Sequence, residues 1–292
     1  MRELFTKIEL ADREAMTPYL SAFRFVDLGF TGLYYCAEAF DIRKAYLCGA
    51  LCLRIRGEDG YAYVLSDVKK LPEIAELLFA SEGTNAIAFD FVKREDLKEY
   101  TSLSPYACSV ACEEKYADYF STYADYVSVD KQKALHKYKD YHQFCSRYAH
   151  AAYALSKETL PVAAKLLDAW CENHGCAACT TGCEKQWILR LFDAWDALPA
   201  KGLIVDVDGA PAGFCVLEQN GDTVLRLVSK PTGRQRGLQV FLGVESARLL
   251  FPHAAYVNMG PDSGVANLGL FKDKFRPYTK LQKYRVTLAK KP

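Results

Sequence analysis

The densest group of side chains that could bind a metal lies in the second half of the chain. Cys171, Cys176, Cys179 and Cys183, with His174 among them, form a Cys-x4-Cys-x2-Cys-x3-Cys run. Four thiolates would suit zinc or an iron–sulfur cluster. Structural zinc usually joins two cysteine pairs across a longer loop, whereas these four cysteines fall between two predicted helices. We therefore expect reduced thiols and no bound metal.

A second candidate is the segment 131–150, in which basic residues alternate with tyrosine, phenylalanine and histidine. Lysine and arginine contact phosphates and aromatic rings stack on bases, so such a mixture can bind RNA. The pattern also suits a helix with one face in solvent and one face packed against the protein, which is the commoner case. Binding of tRNA is therefore the less favoured interpretation of this segment.

Composition excludes several classes of protein. The 292 residues are 50% hydrophobic and 13% aromatic, which is enough for the cores of two ordinary domains. Lys and Arg number 37 against 36 Asp and Glu, so a formal charge of +1 favours neither nucleic acid nor an anionic membrane. The sequence has no apolar leader and no apolar run near ~18 residues, and its eleven cysteines are an odd number. We expect a cytoplasmic protein with reduced thiols and no membrane partner.

The order of predicted elements positions the remaining candidates. In the second half, hydrophobic periodicity switches between 2 and 3.6 residues. It predicts a strand at 152–156, helices at 159–171 and 184–197, strands at 203–207, 213–217 and 223–229, a helix at 238–250, a strand at 255–258, a helix at 265–274 and a final strand at 280–287. Asp208-Gly209 and Asn220-Gly221 are typical hairpin turns between the three central strands.

The first half repeats this order. The pattern predicts a strand at 4–10, helices at 12–21 and 31–40, three strands within 45–65, a helix at 71–80, a strand at 86–91, a short helix ending at Tyr100 and a strand at 107–112. Residues 113–150 form a largely helical connector in this interpretation. We predict an α/β (α+β) protein with two tandem domains, residues 1–130 and 131–292, each a mixed, mostly antiparallel sheet flanked by helices.

This element order resembles the acetyltransferase (GNAT) fold, and its duplication resembles the lysyl-phosphatidylglycerol synthase C-terminal (DUF2156-like) family. That family carries a segment Asn-Arg-Glu-x-Asp-x-Gly-Ile-x-x-Leu-Arg-x-x-Lys-x-x-Tyr-x-Pro. The corresponding segment here runs from residue 258 to residue 277 and keeps Asn258, Asp262 and Lys272. The resemblance implies that these three residues bind substrate.

The chain also departs from the family segment. Met259 and Gly260 replace the Arg-Glu pair, and Gly269 replaces the arginine of the Leu-Arg pair. These departures remove charged groups that could hold a substrate. Upstream of this segment, Glu184 and the segment 202–214 resemble the family.

The resemblance implies an acyl donor, acetyl-CoA or another acyl-CoA, whose pyrophosphate lies on a turn between a strand and a helix. A helix N-terminus binds anions because its first N–H groups are unpaired and its dipole is positive there. Here that turn is the segment 230–239. An ordinary loop that caps a helix is the alternative. The implied donor contacts are Leu227, Val228, Arg234, Arg236, Gly237, Leu238 and Gln239.

Transfer to an amine would need a base and an acid. From its place in the fold that the chain resembles, Glu218 is the candidate base and Tyr278 the candidate acid. The alternatives are an exposed carboxylate before a turn and a structural tyrosine. Phe271 occupies the position that usually carries the acid, and phenylalanine cannot donate a proton.

Three functions remain open. The leading hypothesis is an N-acyltransferase that moves an acyl group from acyl-CoA to a small-molecule amine. The second is an aminoacyl transferase that uses aminoacyl-tRNA. The third is a non-catalytic binding module on the same fold, which the missing charged residues would favour. Fold alone does not decide among them, and the oligomeric state is left open.

Overall fold

The structure is a computed structural model that describes residues 4–174 and 184–291. Within these residues the chain forms two mixed sheets of seven strands, each flanked by helices. The predicted fold class, two tandem GNAT-like units, is confirmed. Across the described residues, none of the helices combines the length and the apolar character needed to cross a membrane.

The first sheet is built mostly from the first half of the chain. Its strands from this half are β1 (Thr6–Lys7), β2 (Arg43–Leu47), β3 (Ala50–Gly57), β4 (Gly60–Leu65), β5 (Ala86–Val92) and β6 (Ala107–Cys112). Its helices are α1 (Arg13–Leu20), α2 (Phe30–Cys36), α3 (Leu71–Glu82) and α4 (Leu97–Thr101). Strands β4 and β5 are parallel, and the pairs among β1 to β4 are antiparallel.

The second sheet is built mostly from the second half. The chain enters it through β7 (Asp118–Thr122), α5 (Tyr123–Val127) and α6 (Leu135–Arg147). There follow β8 (His150–Ala154), α7 (Leu160–Asn173), α8 (Glu184–Asp193), β9 (Ala200–Val207), β10 (Ala210–Asn220), β11 (Thr223–Pro231), α9 (Leu238–Leu250), β12 (Tyr256–Asn258), α10 (Ala266–Asp273), β13 (Thr279–Leu281) and β14 (Tyr284–Ala289).

Each half gives one strand to the sheet of the other half. Strand β14, near the end of the chain, lies between β5 and β6 of the first sheet. Strand β7 lies between β12 and β13 of the second sheet. Each sheet therefore contains a strand from the other side of the predicted domain boundary at residue 130. The division into domains at this residue stays a prediction.

Two sequence predictions are corrected by this exchange. The predicted final strand at 280–287 is two strands, β13 and β14, which belong to different sheets. The chain passes between the sheets at Lys283, whose Nζ lies 2.6 Å from Oδ1 of the fully buried Asp118 and also pairs with Asp27. The predicted helical connector contains β7 before its two helices.

The largest apolar core cluster joins the two halves. Phe30 and Leu33 of α2 pack in one cluster with Leu167 of α7 and with Ile188 and Leu191 of α8. These side chains are almost completely buried, and burial of apolar surface is the main stabilising contribution to such an interface. The two sheets are therefore held in one fixed arrangement, and side chains from both halves can shape one site.

Candidate active site

A cleft of about 630 Å³ opens in the second sheet where β11 and β12 separate. These strands are paired in parallel only as far as Leu225 and Asn258. Beyond that point β11 continues to Pro231, whereas the chain after β12 turns into the segment 259–265 that leads to α10. The cleft is bounded by β11, this segment, α10 and the ends of α7 and α8.

Three buried cations line the cleft. Arg226 and Lys230 come from β11 and Lys272 comes from α10, and each is exposed by 7% or less. The Nζ of Lys230 lies 2.6 Å from Oε2 of Glu184 at the start of α8. A guanidinium nitrogen of Arg226 donates a hydrogen bond to the Ser229 hydroxyl. The cleft therefore has positive walls.

Lys272 holds the segment that borders the cleft. Its ammonium donates hydrogen bonds to the backbone carbonyls of Gly260, at 2.9 Å, and of Pro261. Burial, and then the nearby positive charge of Arg226, lower the pKa of Lys272 to about 7. This lysine, which the sequence resemblance predicted as a substrate contact, both lines the cleft and positions its wall.

An aromatic stack stands at the mouth of the cleft. The rings of Trp170, in the last turn of α7, and His174, the residue after α7, stack with centroids 4.0 Å apart and planes 15° apart. The Nζ of Lys230 lies 3.7 Å from the centre of the same tryptophan ring. The Lys230 ammonium and the His174 ring would overlap if both lay on the same face of the Trp170 ring. They therefore lie on opposite faces of that ring. The tryptophan thereby fixes the direction of the lysine side chain.

The other two predicted substrate contacts shape the cleft wall from behind. The Asn258 amide donates to the Arg24 carbonyl and to Asp118, and its oxygen accepts from the Gly260 N–H at 2.7 Å. One carboxylate oxygen of Asp262 accepts from the Gly264 N–H and the other from a tyrosine hydroxyl. Substrate binding by Asn258 and Asp262 stays a prediction.

Glu218 lies at the interface between the halves. It is 2% exposed, and its two oxygens accept hydrogen bonds from the backbone N–H groups of Phe30, at 2.9 Å, and Thr31, at 3.0 Å, at the start of α2. Burial raises its pKa to about 7 although these hydrogen bonds act in the opposite direction. Tyr278 is 74% exposed on the surface. The catalytic roles of Glu218 and Tyr278 stay predictions, and the geometry of Glu218 favours helix capping.

The turn predicted to hold a pyrophosphate is covered by helix α6. Gly237 has a φ of +92°, and a Cβ at this position would lie 2.0 Å from the Asp140 carbonyl oxygen. The absence of a side chain therefore admits α6 to the start of α9. Arg236 pairs with the Asp140 carboxylate at 3.2 Å, and Lys274 pairs with it at 2.7 Å. The backbone carbonyl oxygen of Asp140 thus lies beside the N-terminus of α9, where phosphates were expected.

The remaining predicted donor contacts divide into three groups. Val228 and Leu238 are buried in the core, at 2% and 1% exposure. Leu227 and Gln239 line the cleft. Arg234 is exposed and lines a second cavity of about 340 Å³, which shares Pro231, Gln239 and Phe271 with the cleft. Donor contacts at these positions stay predictions.

The cysteine run lies mostly beyond what the structure describes. Cys176, Cys179 and Cys183 are outside the described residues, whereas Cys171 and His174 end α7. Within residues 4–174 and 184–291, no group of three or more His, Cys, Asp or Glu side chains could hold a metal ion. The expectation of reduced thiols in this run stays a prediction.

Sequence reasoning missed Arg226, Lys230 and Trp170. A signal for the first two was present, because they are cations in a strand that is otherwise apolar and predicted to be central. Charged residues are rarely buried without a partner, so such positions point to an ion pair or a ligand. Met259 and Gly260, which stand where the family segment has Arg-Glu, also line the cleft.

Comparison with known proteins places this fold in one family. The family model described as "Phosphatidylglycerol lysyltransferase, C-terminal" matches residues 66–287. A conserved protein of unknown function from Bacteroides thetaiotaomicron VPI-5482 has a TM-score of 0.89 at 22% identity, over 97% of this chain and 99% of that chain. Among curated proteins, none matches this chain.

Two further solved structures share the fold at lower similarity. The C-terminal domain (DUF2156) of a putative lysylphosphatidylglycerol synthetase from Agrobacterium fabrum has a TM-score of 0.67 at 14% identity, over 96% of this chain and 92% of that chain. L-PGS from Bacillus licheniformis has a TM-score of 0.66 at 16% identity, over 100% and 95%.

These findings correct the predicted donor. The expectation of acetyl-CoA or another acyl-CoA is wrong, because the matching family is named for transfer of a lysyl group to phosphatidylglycerol. The packing of α6 on the turn before α9 agrees with this correction. The prediction of a transferase is confirmed by the same match. The chain belongs to the phosphatidylglycerol lysyltransferase C-terminal family, as the resemblance of its residues 258–277 indicated.

Proposed function

We propose that this protein is an aminoacyl transferase that takes its aminoacyl group from an aminoacyl-tRNA and transfers it in the cleft beside α10. The observation that carries the proposal is the group of three buried cations, Arg226, Lys230 and Lys272, on the walls of one cleft. Burying a charge is costly unless an opposite charge or hydrogen bonds compensate. The 3′ end of a tRNA brings phosphates that would compensate these cations.

The cavity next to the cleft supports a long anionic donor. It is lined by Arg234, Arg236, Lys274 and His136, with Asp140 as an acidic member. Because it shares walls with the cleft, positive side chains continue from the cleft toward the surface. A single-stranded RNA end could follow this track with its phosphates on the arginines.

The chemistry requires little of the protein beyond orientation and charge stabilisation. A hydroxyl or amine of the acceptor attacks the aminoacyl ester carbonyl, the ester bond to the ribose oxygen breaks, and the acceptor proton passes to that oxygen. Negative charge develops on the carbonyl oxygen during the attack, and a fixed cation stabilises it. We assign this role to Arg226, whose Nε has no hydrogen-bond partner among the described residues.

The family name makes phosphatidylglycerol the first acceptor to assay and a small-molecule amine the second. Transfer can be followed with a tRNA that carries a radiolabelled amino acid, mixed with phosphatidylglycerol vesicles. We expect label to enter the lipid with the unmutated protein, and Arg226→Met to lower kcat at least tenfold. Arg94→Met, which removes an exposed arginine that lines neither the cleft nor the neighbouring cavity, is the matched control and should leave kcat unchanged.

Two results would count against the proposal. Retention of all label on the tRNA with both acceptors would exclude aminoacyl transfer. Equal rates for Arg226→Met and Arg94→Met would remove Arg226 from the chemistry and with it the assignment of this cleft.

A further inference from the structure

The charges on the cleft walls are unequal. The described lining residues include three basic side chains, Arg226, Lys230 and Lys272, but a single carboxylate, Glu184. The described walls of this cleft are therefore positive overall.

The single carboxylate is already engaged. Oε2 of Glu184 lies 2.6 Å from the ammonium of Lys230, which the Trp170 ring holds in place from one side. A second ammonium could approach this carboxylate only by sharing it with Lys230. Like charges at such distances repel strongly when they are shielded from water.

The two carboxylates that act on Lys272 are also used elsewhere. Asp262 accepts hydrogen bonds from the Tyr119 hydroxyl and the Gly264 N–H. Asp118 is completely buried and pairs with Lys283. Neither belongs to the cleft lining. A cationic side chain in the cleft would thus meet the positive charges of Arg226 and Lys230 and the basic group of Lys272, and no available acceptor of opposite charge among the described lining residues.

We infer that the cleft selects aminoacyl groups without a cationic side chain, so that lysyl-tRNA is a poor donor for this member of a family named for lysyl transfer. The inference rests on the proposed function, because it concerns the group that the donor carries. Lys230 and Glu184 are the specificity-determining pair: the lysine fills the place that a substrate ammonium would need.

The test uses one tRNA body charged in turn with alanine, lysine or Nε-acetyl-lysine. Acetyl-lysine is longer than lysine by an acetyl group but carries no charge on its side chain, so it separates charge from length. We expect kcat/KM for the alanyl and acetyl-lysyl donors to exceed that for the lysyl donor at least tenfold. Acetyl-lysine as poor as lysine would show that size decides, and lysine as the best donor would show that the cleft accepts a cation; either overturns the inference.

A pair of variants tests the residues. Lys230→Met frees the Glu184 carboxylate and should raise the ratio of lysyl to acetyl-lysyl transfer at least fivefold, even if the overall rate falls. Adding Glu184→Gln to that variant should abolish the gain. An unchanged ratio in Lys230→Met would overturn the role of the pair. Absence of transfer from all three donors would overturn the proposed function itself, which distinguishes the two failures.

Discussion

At the scale of single residues, Glu218 shows how position in the fold and local chemistry can diverge. Its place at the end of β10 matches that of a catalytic base in the fold it resembles. Its two oxygens, however, accept hydrogen bonds from the first amides of α2, which belongs to the other half of the chain. A carboxylate at a helix N-terminus is favourable, so this glutamate stabilises the contact between the halves.

The pH dependence of stability can separate the two roles of Glu218. Its pKa is about 7 in the folded protein against 4.5 as the ordinary value. Between these values the unfolded chain releases the proton that the folded protein keeps, so the free energy of unfolding falls as pH rises. Glu218→Gln cannot ionise, so between pH 5 and pH 7 the unmutated protein should lose about 1–3 kcal/mol relative to the variant.

Urea unfolding at the two pH values measures this difference, and kcat of the variant provides the second readout. We expect kcat to stay within about threefold, because general base catalysis contributes 10²–10⁴-fold only where the base contacts the substrate. A loss of kcat of about 100-fold or more, with identical pH dependence of stability, would restore Glu218 as a base.

At the scale of elements, the hydrophobic periodicity of the sequence predicted the exact bounds of some strands and helices but did not predict how the strands pair. Helix α9 and strand β6 have the predicted bounds, since the residue pattern of each segment defines it locally. The exchange of β7 and β14 depends on contacts far apart in sequence, such as that between Lys283 and Asp118, and no local pattern encodes it. Likewise Lys272 was predicted from a motif, whereas the convergence of Arg226 and Lys230 required the fold.

Because β14 belongs to the first sheet, we expect a cavity-creating substitution in β14 to destabilise that sheet. Leu288 of β14 is fully buried in the core formed with β5 and β6, so Leu288→Ala should cost about 2–5 kcal/mol. Leu249→Ala, at a position that is 57% exposed, is the control and should cost little. Hydrogen exchange should show faster exchange in β5 and β6 for the first variant. Loss of protection confined to β8–β11 would show that β14 does not belong to the first sheet.

At the scale of the whole molecule, a formal charge of +1 conceals an uneven distribution. The balance of charge argued against a nucleic-acid partner, yet basic side chains, some buried and some exposed, collect along the cleft and its neighbouring cavity. Net charge averages over the surface and carries no information about one site. A tRNA donor is therefore compatible with a nearly neutral chain.

The basic side chains of the cavity next to the cleft, which include Arg234 and Arg236, should matter for a long donor and not for a short one. Arg234→Ala combined with Arg236→Ala should raise KM for aminoacyl-tRNA and reduce the slope of log affinity against log salt by about 1.4, as expected for two lost phosphate contacts. KM for a short aminoacyl-adenosine donor should not change, since it does not reach the arginines. Lys98→Ala with Lys157→Ala removes equal charge at positions that are 81% and 77% exposed.

These paired variants are read together. The control pair should leave KM and the salt dependence of both donors unaltered. An equal rise in KM for the long and the short donor would contradict the track, because it would place the arginines at the reacting end of the donor or in the stability of the fold.

The identity of the donor is the central claim, and a direct competition tests it. The unmutated protein is mixed with equal concentrations of an aminoacyl-tRNA and acetyl-CoA that carry different radiolabels, together with phosphatidylglycerol vesicles and an amine acceptor. The account predicts that only the label from the tRNA appears in product, and that an excess of unlabelled acetyl-CoA leaves its rate unchanged. Acetyl label in product, or inhibition of aminoacyl transfer by acetyl-CoA at micromolar concentration, would contradict it.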